Sequence, residues 1–348
     1  MTSYRDAGVD IRAGEQAVEL MRSQVARASR PEVVGELGGF AGLFRLDLAK
    51  YHAPLLASST DGVGTKIAIA VAMGTHSTVG IDLVAMVADD LVVCGAEPLF
   101  LQDYVACGQV VPERIAEIVG GIAEGCRLAG CALVGGETAE HPGLMPPEHY
   151  DLAATGVGIV EADEVLGAER VRAGDVVVAL GSSGLHSNGF SLVRHVLLTV
   201  ARLRLEASLE ELEGRTLGEE LLTPTRIYSK DCLALIAETD VHAFSHVTGG
   251  GIAANLSRVL PEHLDAVLDR GTWTPQAVFD LLAFRGHVEQ AELERTVNLG
   301  IGMIAVLPPQ DVDRALAVLT ARHVPAWVAG EIVTGSGATR LVGEHPAT

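Results

Sequence analysis

PLLASSTDGVGTK, residues 54–66, reads as a strand running straight into a glycine-bearing loop. Pro54–Ser59 is apolar and small enough for a sheet, and Thr60-Asp61-Gly62-Val63-Gly64-Thr65-Lys66 then breaks it. Downstream, residues 81–95 (IDLVAMVADDLVVCG) carry apolar side chains on every side and predict a largely buried helix. The pattern predicts a strand over Leu99–Ala106, an amphipathic helix over Pro112–Ala129 and a strand over Tyr150–Glu161. A helix over Ala13–Ala28 precedes them, and Cys131–Val134 leads into a glycine-acid cluster. Past the polar stretch Gly167–Gly174, a strand at Asp175–Leu180 opens a second series of alternating strands and helices. Strands and helices interleaved without strict βαβ spacing place the chain in the α/β or α+β class. A length of 348 residues predicts two domains, divided here as 1–168 and 169–348.

Composition narrows what the domains do. Hydrophobic residues make up 48% and aromatics only 4%, so Ala, Val, Leu and Ile must build the cores. The formal charge is 25 − 45 = −20, which repels a phosphate backbone and argues against nucleic-acid binding. The same field repels nucleotides, so any phosphate site needs local cations or backbone N–H groups. Five cysteines without a C-x-x-C suggest neither a disulfide framework nor a zinc ribbon, and fit reduced thiols in the cytoplasm. The polar start MTSYRDAGVDIRAGE is unlike a signal peptide, and no apolar run reaches the roughly 20 residues of a membrane span.

Several clusters carry chemistry. On the 81–95 helix, Asp82 and Asp89 lie about 20° apart around the axis, with Asp90 about 80° from Asp82. Buried carboxylates need a cation; a helix end in solvent, or one Arg partner, explains them equally well. The loop beside them adds Asp61, the flexible Gly62 and Gly64, and Lys66 as a point charge. It is not a Walker A loop, because Thr65 precedes Lys66, and an ordinary turn is its plain alternative. Glu137, directly after Gly135 and Gly136, is placed to bridge a metal or a ribose, or sits on a simple solvated turn. In the second half, Ser182–Ser191 (SSGLHSNGFS) links strand to helix, with Ser187 or Asn188 as the expected N-cap. His186 is there either a proton carrier or a structural residue. His246–Asn255 (HVTGGGIAAN) chances to satisfy G-x-G-x-x-A from Gly249, and an anion cradle explains it as well as a dinucleotide does.

Taken in order, these pieces resemble one family, phosphoribosylformylglycinamidine cyclo-ligase, also called aminoimidazole ribonucleotide synthetase. The likeness runs through Tyr4–Ile11, Gly38–Phe44, Ser59–Lys66, Val79–Ala88, Asp90–Pro98, Gly135–Glu140 and Tyr150–Leu152. It continues through Gly184–Arg194, Leu222–Tyr228 (LTPTRIY), His246–Gly251, Arg270–Trp273 and Asn298–Met303 (NLGIGM). His141, Asp89 and Ala153–Thr155 depart from the family pattern. The resemblance implies a two-domain synthetase fold whose N-terminal domains, binding ATP and magnesium, pair into a dimeric β-barrel in a homodimer. The C-terminal α/β domain would complete the active-site cleft.

It also implies an enzyme of purine biosynthesis. ATP would drive closure of formylglycinamidine ribonucleotide to 5-aminoimidazole ribonucleotide, giving ADP and phosphate. Asp61, Asp82 and Asp90 would hold Mg²⁺, an all-oxygen set suited to a hard cation. Asp61, Gly62, Gly64, Thr65, Lys66 and Glu137 would hold nucleotide, with Lys66 and Asp61 also catalytic. His186 would assist proton transfer or bind phosphate with Ser187 and Asn188, and Thr248, Gly249, Gly250 and Gly251 would line the site. The rivals are a sister ATP-using enzyme, of selenophosphate synthetase or thiamine-phosphate kinase type, and a non-catalytic nucleotide sensor. The first of the selenophosphate type would need a cysteine near Gly38–Phe44, where none stands. The sensor would be expected to lose acids that are all present.

Overall fold

Pro54–Gly62 forms a nine-residue strand, three residues longer than its apolar run, because pairing continues through the polar Thr60, Asp61 and Gly62. The computed structural model describes residues 8–35 and 38–346, so the Tyr4–Ile11 motif lies partly outside the described residues. Contacts divide the chain into Met1–Leu91 with Glu97–Ala162, and Val92–Ala96 with Asp163–Thr348.

In the first unit, α1 (Ile11–Arg27) starts where the Asp10 carboxylate accepts from the Arg12 N–H at 3.1 Å, and buries Ala17, Met21 and Val25. Two short strands, β1 (Val33–Val34) and β2 (Leu43–Phe44), pair antiparallel. Then come β3 (Pro54–Gly62), α2 (Ile67–Met73), α3 (Ser77–Val92), β4 (Glu97–Cys107), α4 (Pro112–Ala129), β5 (Ala132–Glu140) and β6 (Tyr150–Glu161). The sheet order is β3-β6-β4-β5, antiparallel except for the parallel β4–β5 pair. Helix α3 begins four residues before its expected start. The Glu117 carboxylate accepts from the N–H groups of His76 and Ser77, at 2.7 and 3.1 Å, and so satisfies the first turn from another helix. One side of the sheet faces buried residues; β3 is exposed or half-exposed along its length, and Gln102, Tyr104 and Thr155 are exposed beside it.

The second unit holds β7 (Val176–Gly181), α5 (Phe190–Arg194), α6 (Leu217–Leu221), α7 (Ser229–Glu238) and β8 (Ala243–His246). It continues with α8 (Gly251–Ser257), β9 (Leu264–Asp269), α9 (Ala277–Gly286), α10 (Gln290–Thr296), β10 (Ile301–Leu307), α11 (Val312–Ala321), β11 (Ala326–Thr334) and β12 (Thr339–Val342). Its sheet runs β12-β9-β11-β7-β10-β8, with only β12–β9 parallel. Every residue of β10 is buried, as a central strand covered on both faces requires. Tyr228, Phe244, Met303 and Leu319 lie in its core, and Trp273 and Trp327 sit 6.4 Å apart between ring centres. Among the described residues no helix is long and apolar enough to cross a membrane.

Candidate functional site

In the first unit Asp61, Gly62, Gly64, Thr65 and Lys66 sit at the end of β3 with Asp82 joined to them through Lys66, whereas Glu137 stands on β5 at the other edge of the sheet. Asp61 and Thr65 are exposed, and the Asp61 carboxylate accepts from the Gly62 N–H at 2.7 Å. Gly64 has φ +74, so the loop turns through a conformation that side chains resist. A 3₁₀ turn over Gly64–Lys66 then carries Lys66 inward. Here the structure differs from a lysine extended toward phosphate. The Lys66 ammonium lies 2.9 Å from the Asp82 carboxylate, and both residues are fully buried. The pairing is what burial demands, since either charge alone would cost several kcal/mol. The helical angles hold: Asp82 and Asp89 are both buried, while Asp90, turned further round α3, is exposed.

The Gly135–Glu140 cluster is strand rather than loop. Gly135 and Gly136 pair with Gln102 and Asp103 of β4, beyond a register shift at Leu101/Gln102. Glu137 is exposed on this strand. The atypical Ala153–Thr155 lies directly opposite Thr60–Gly62, and the Thr155 and Thr60 hydroxyls are 2.8 Å apart. His141 pairs with the Tyr104 hydroxyl at 3.2 Å. These two departures are therefore accommodated by contacts of their own.

Magnesium needs oxygen ligands, and the three acids do not close into a cage. Among the described residues no group of three or more His, Cys, Asp or Glu side chains could hold a metal ion. Asp82 is engaged with Lys66, which leaves Asp61 and Asp90 as exposed carboxylates. One or two carboxylates plus phosphate oxygens and water is the usual magnesium arrangement at a nucleotide. The donor set thus fits a cation arriving with its nucleotide, and does not fit a resident three-carboxylate site.

In the second unit, two loops meet. A Cβ on Gly249 would lie 3.6 Å from the Asn188 side-chain oxygen, which puts Ser187-Asn188 beside the glycine run. Ser187 is buried, its hydroxyl 3.3 Å from that of Thr225. The helix cap falls on Gly189 at φ +77, not on Ser187 or Asn188, and α5 has only five residues. The helix runs on without a break as a π-helix over His195–Val200, and the loop N–H groups ahead of it are what this segment would offer an anion. His186 is 1% exposed, has φ +61, and its Nε2 accepts from the Ser183 N–H at 3.1 Å. It braces the loop from inside. Gly251 has φ +71, and any Cβ there would fall 1.8 Å from the Glu294 carbonyl oxygen.

Residues without a role in the sequence reading hold these loops. The Asn255 amide donates to the carbonyls of Thr248, Gly249 and Gly251, at 3.3, 3.2 and 2.8 Å. Asn298, 3% exposed, donates to Gly184 O and accepts from Gly300 N, both at 2.9 Å. The Ser183 hydroxyl bonds Pro224 O and the Arg226 N–H, tying in Thr223–Arg226. LTPTRIY and NLGIGM were visible as motifs; what was invisible was that they clamp another loop.

Comparison with known proteins agrees along the chain. The family model for AIR synthase related protein, N-terminal domain, matches residues 43–160, and its C-terminal counterpart matches 172–343. A phosphoribosylformylglycinamidine cyclo-ligase of Anaeromyxobacter sp. (strain Fw109-5) is 52% identical over 335 residues, 96% of this chain and 97% of that one. One from Desulfitobacterium hafniense (strain DSM 10664 / DCB-2) is 52% identical, covering 95% and 96%. In fold, the chain resembles thiamine-monophosphate kinase from Stenotrophomonas maltophilia K279a, with TM-score 0.69, 19% identity, and 95% and 97% covered. It also resembles hydrogenase maturation protein HypE in complex with ATP, with TM-score 0.66, 20% identity, and 97% and 93% covered.

Proposed function

The chain belongs to the phosphoribosylformylglycinamidine cyclo-ligase family, and on that footing we propose that it closes the imidazole ring of 5-aminoimidazole ribonucleotide. The observation that carries this reading is the 52% identity to curated cyclo-ligases over nearly the whole length of both chains. Formylglycinamidine ribonucleotide and ATP are the substrates, in purine biosynthesis in the cytoplasm. The formyl oxygen attacks the γ-phosphorus, and ADP leaves. The ribosyl-bearing nitrogen then attacks the activated carbon, and phosphate departs as the ring closes. Positioning and neutralisation of charge are the protein's share of such chemistry.

Asp61, Gly62, Gly64 and Thr65 present oxygens and N–H groups to the nucleotide. Lys66, fixed by Asp82, contributes potential from beneath the loop. Asp61 and Asp90 would hold Mg²⁺, which neutralises the phosphates when bound. Ser187, Asn188 and Thr248–Gly251 bind the substrate phosphate through backbone amides, with His186 setting their loop. The exposed face of the first unit's sheet, with Leu56 of β3 at 64% exposure on the same face as Gln102, Tyr104 and Thr155, supports a homodimer built on that sheet. The domain division proposed at 168/169 keeps both phosphate-handling regions whole.

Incubation with formylglycinamidine ribonucleotide and MgATP tests the reading, with diazotisation for the aminoimidazole and a coupled assay for ADP. One ADP per aminoimidazole, abolished by EDTA, is expected; ATP turnover without imidazole would overturn it. Light scattering in solution should give twice the chain mass.

A further inference from the structure

β4 places an acid on its buried side. Along the strand Leu101, Asp103 and Val105 are buried while Gln102 and Tyr104 are exposed, so Asp103 stands where the alternation calls for an apolar residue. It is 9% exposed, and its carboxyl touches the β5 backbone: a Cβ on Gly136 would lie 1.9 Å from its Oδ1. Gly136 is thus required for the acid to lie there. Its own backbone is the single hydrogen-bond partner assigned to it among the described residues. An acid kept at such cost without a counter-ion is uncommon in a core.

Asp103 lines a cavity of about 260 Å³ in the first unit. Met21 and Val25 of α1 and Leu133 form apolar walls, and Glu137 and Thr138 lie at the polar side. Among the described residues no Lys, Arg or His lines it. Two carboxyls without a cation repel phosphate and carboxylate groups and favour a planar N–H donor, above all a cationic one. The volume lies below that of drug-sized sites and suits a fragment.

We propose that this cavity receives the amidine of the substrate, with Asp103 as the acceptor of its two N–H groups. This rests on the cyclo-ligase reading, because formylglycinamidine ribonucleotide carries an amidinium where most nucleotides carry neutral or anionic groups. A carboxylate meets an amidinium as it meets a guanidinium, through two parallel charge-assisted bonds. Burial pushes the Asp103 carboxyl up to about 7, with the Cys126 thiol of α4 nearby and Glu137 at the rim. Amidinium binding should therefore strengthen as pH rises through 7.

Titration calorimetry with acetamidinium chloride, against neutral acetamide, tests the cavity on the intact chain without any turnover. Wild type should bind acetamidinium but not acetamide, more tightly at pH 8 than at pH 6, and Asp103→Asn should abolish binding. In steady state Asp103→Asn should raise KM for formylglycinamidine ribonucleotide ten- to a hundredfold, with KM for ATP changed less than twofold. Absence of acetamidinium binding by folded wild type overturns the proposal. So does a raised KM for ATP in Asp103→Ala that Asp103→Asn does not share, since an amide can still pair with an adenine edge. If acetamidinium binds and no aminoimidazole forms, the cavity stands and the cyclo-ligase reading falls.

Discussion

The loop after β3 and the loops around α8 are both built from glycines beside small polar residues, yet they are held in opposite ways. The first rests on a fully buried ion pair, Lys66 with Asp82. The second rests on amides: Asn255 and Asn298 bond loop carbonyls and N–H groups, and the Arg258 guanidinium reaches the Asn255 oxygen only at 3.5 Å. An ion pair in a core is costly to break on one side and cheap to remove on both. An amide clamp loses its bonds in smaller steps. Charge is therefore the point of failure in the first unit, and backbone strain in the second.

The largest effect should come from halving the ion pair. Lys66→Met leaves the Asp82 carboxylate buried without its ammonium, and should cost roughly 3–5 kcal/mol in calorimetric unfolding. Lys66→Met with Asp82→Leu should recover most of it. If the double variant is no better than the single, the unpaired charge is not the source of the loss.

Next in size is the pH response of the first unit. Asp103 is pushed up to about 7 by burial, against about 3.9 in an unfolded chain. Between those values the native state binds more protons than the unfolded one, so stability falls as pH rises from about 4 to about 7. The ceiling on this loss is about 4 kcal/mol. Asp103→Asn should flatten the profile and unfold later than wild type at pH 8. A parallel profile in the variant would place the titrating group elsewhere.

In the second unit, Asn255→Ala should cost about 1–3 kcal/mol, because three carbonyls lose their donor together. A loss as large as that of Lys66→Met would erase the contrast between the regions. The smallest effect on stability belongs to Asp90→Asn. Asp90 is exposed, so the change should stay within about 0.5 kcal/mol. The same variant should lose most of the MgATP-induced rise in melting temperature; a full rise would remove Asp90 from the metal.

Periodicity reached most of this fold. Pro112–Ala129 and Tyr150–Glu161 match the expected ranges residue for residue, since each keeps one buried face along its length. The angles of Asp82, Asp89 and Asp90 followed from helix geometry alone. Boundaries failed where a distant residue set them. Glu117 starts α3, and β4 draws Gly135 and Gly136 into a strand despite their loop-like chemistry. At the site, residue types suggested phosphate and metal chemistry, while the pairing of those residues stayed hidden. Nothing in the sequence says that Lys66 spends its charge on Asp82, or that Asp103 faces a cavity.

Aromatic poverty has a practical consequence. The chain has two tryptophans, Trp273 and Trp327, and both lie in the second unit, 6.4 Å apart. Excited at 295 nm, the protein emits from that unit alone, and the first unit is optically silent. Unfolding followed by tryptophan emission will miss Lys66→Met and register Asn255→Ala. A new tryptophan at exposed Tyr104, with Trp273 and Trp327 replaced by phenylalanine, would give the first unit a signal of its own, to be read against the wild-type signal of the second.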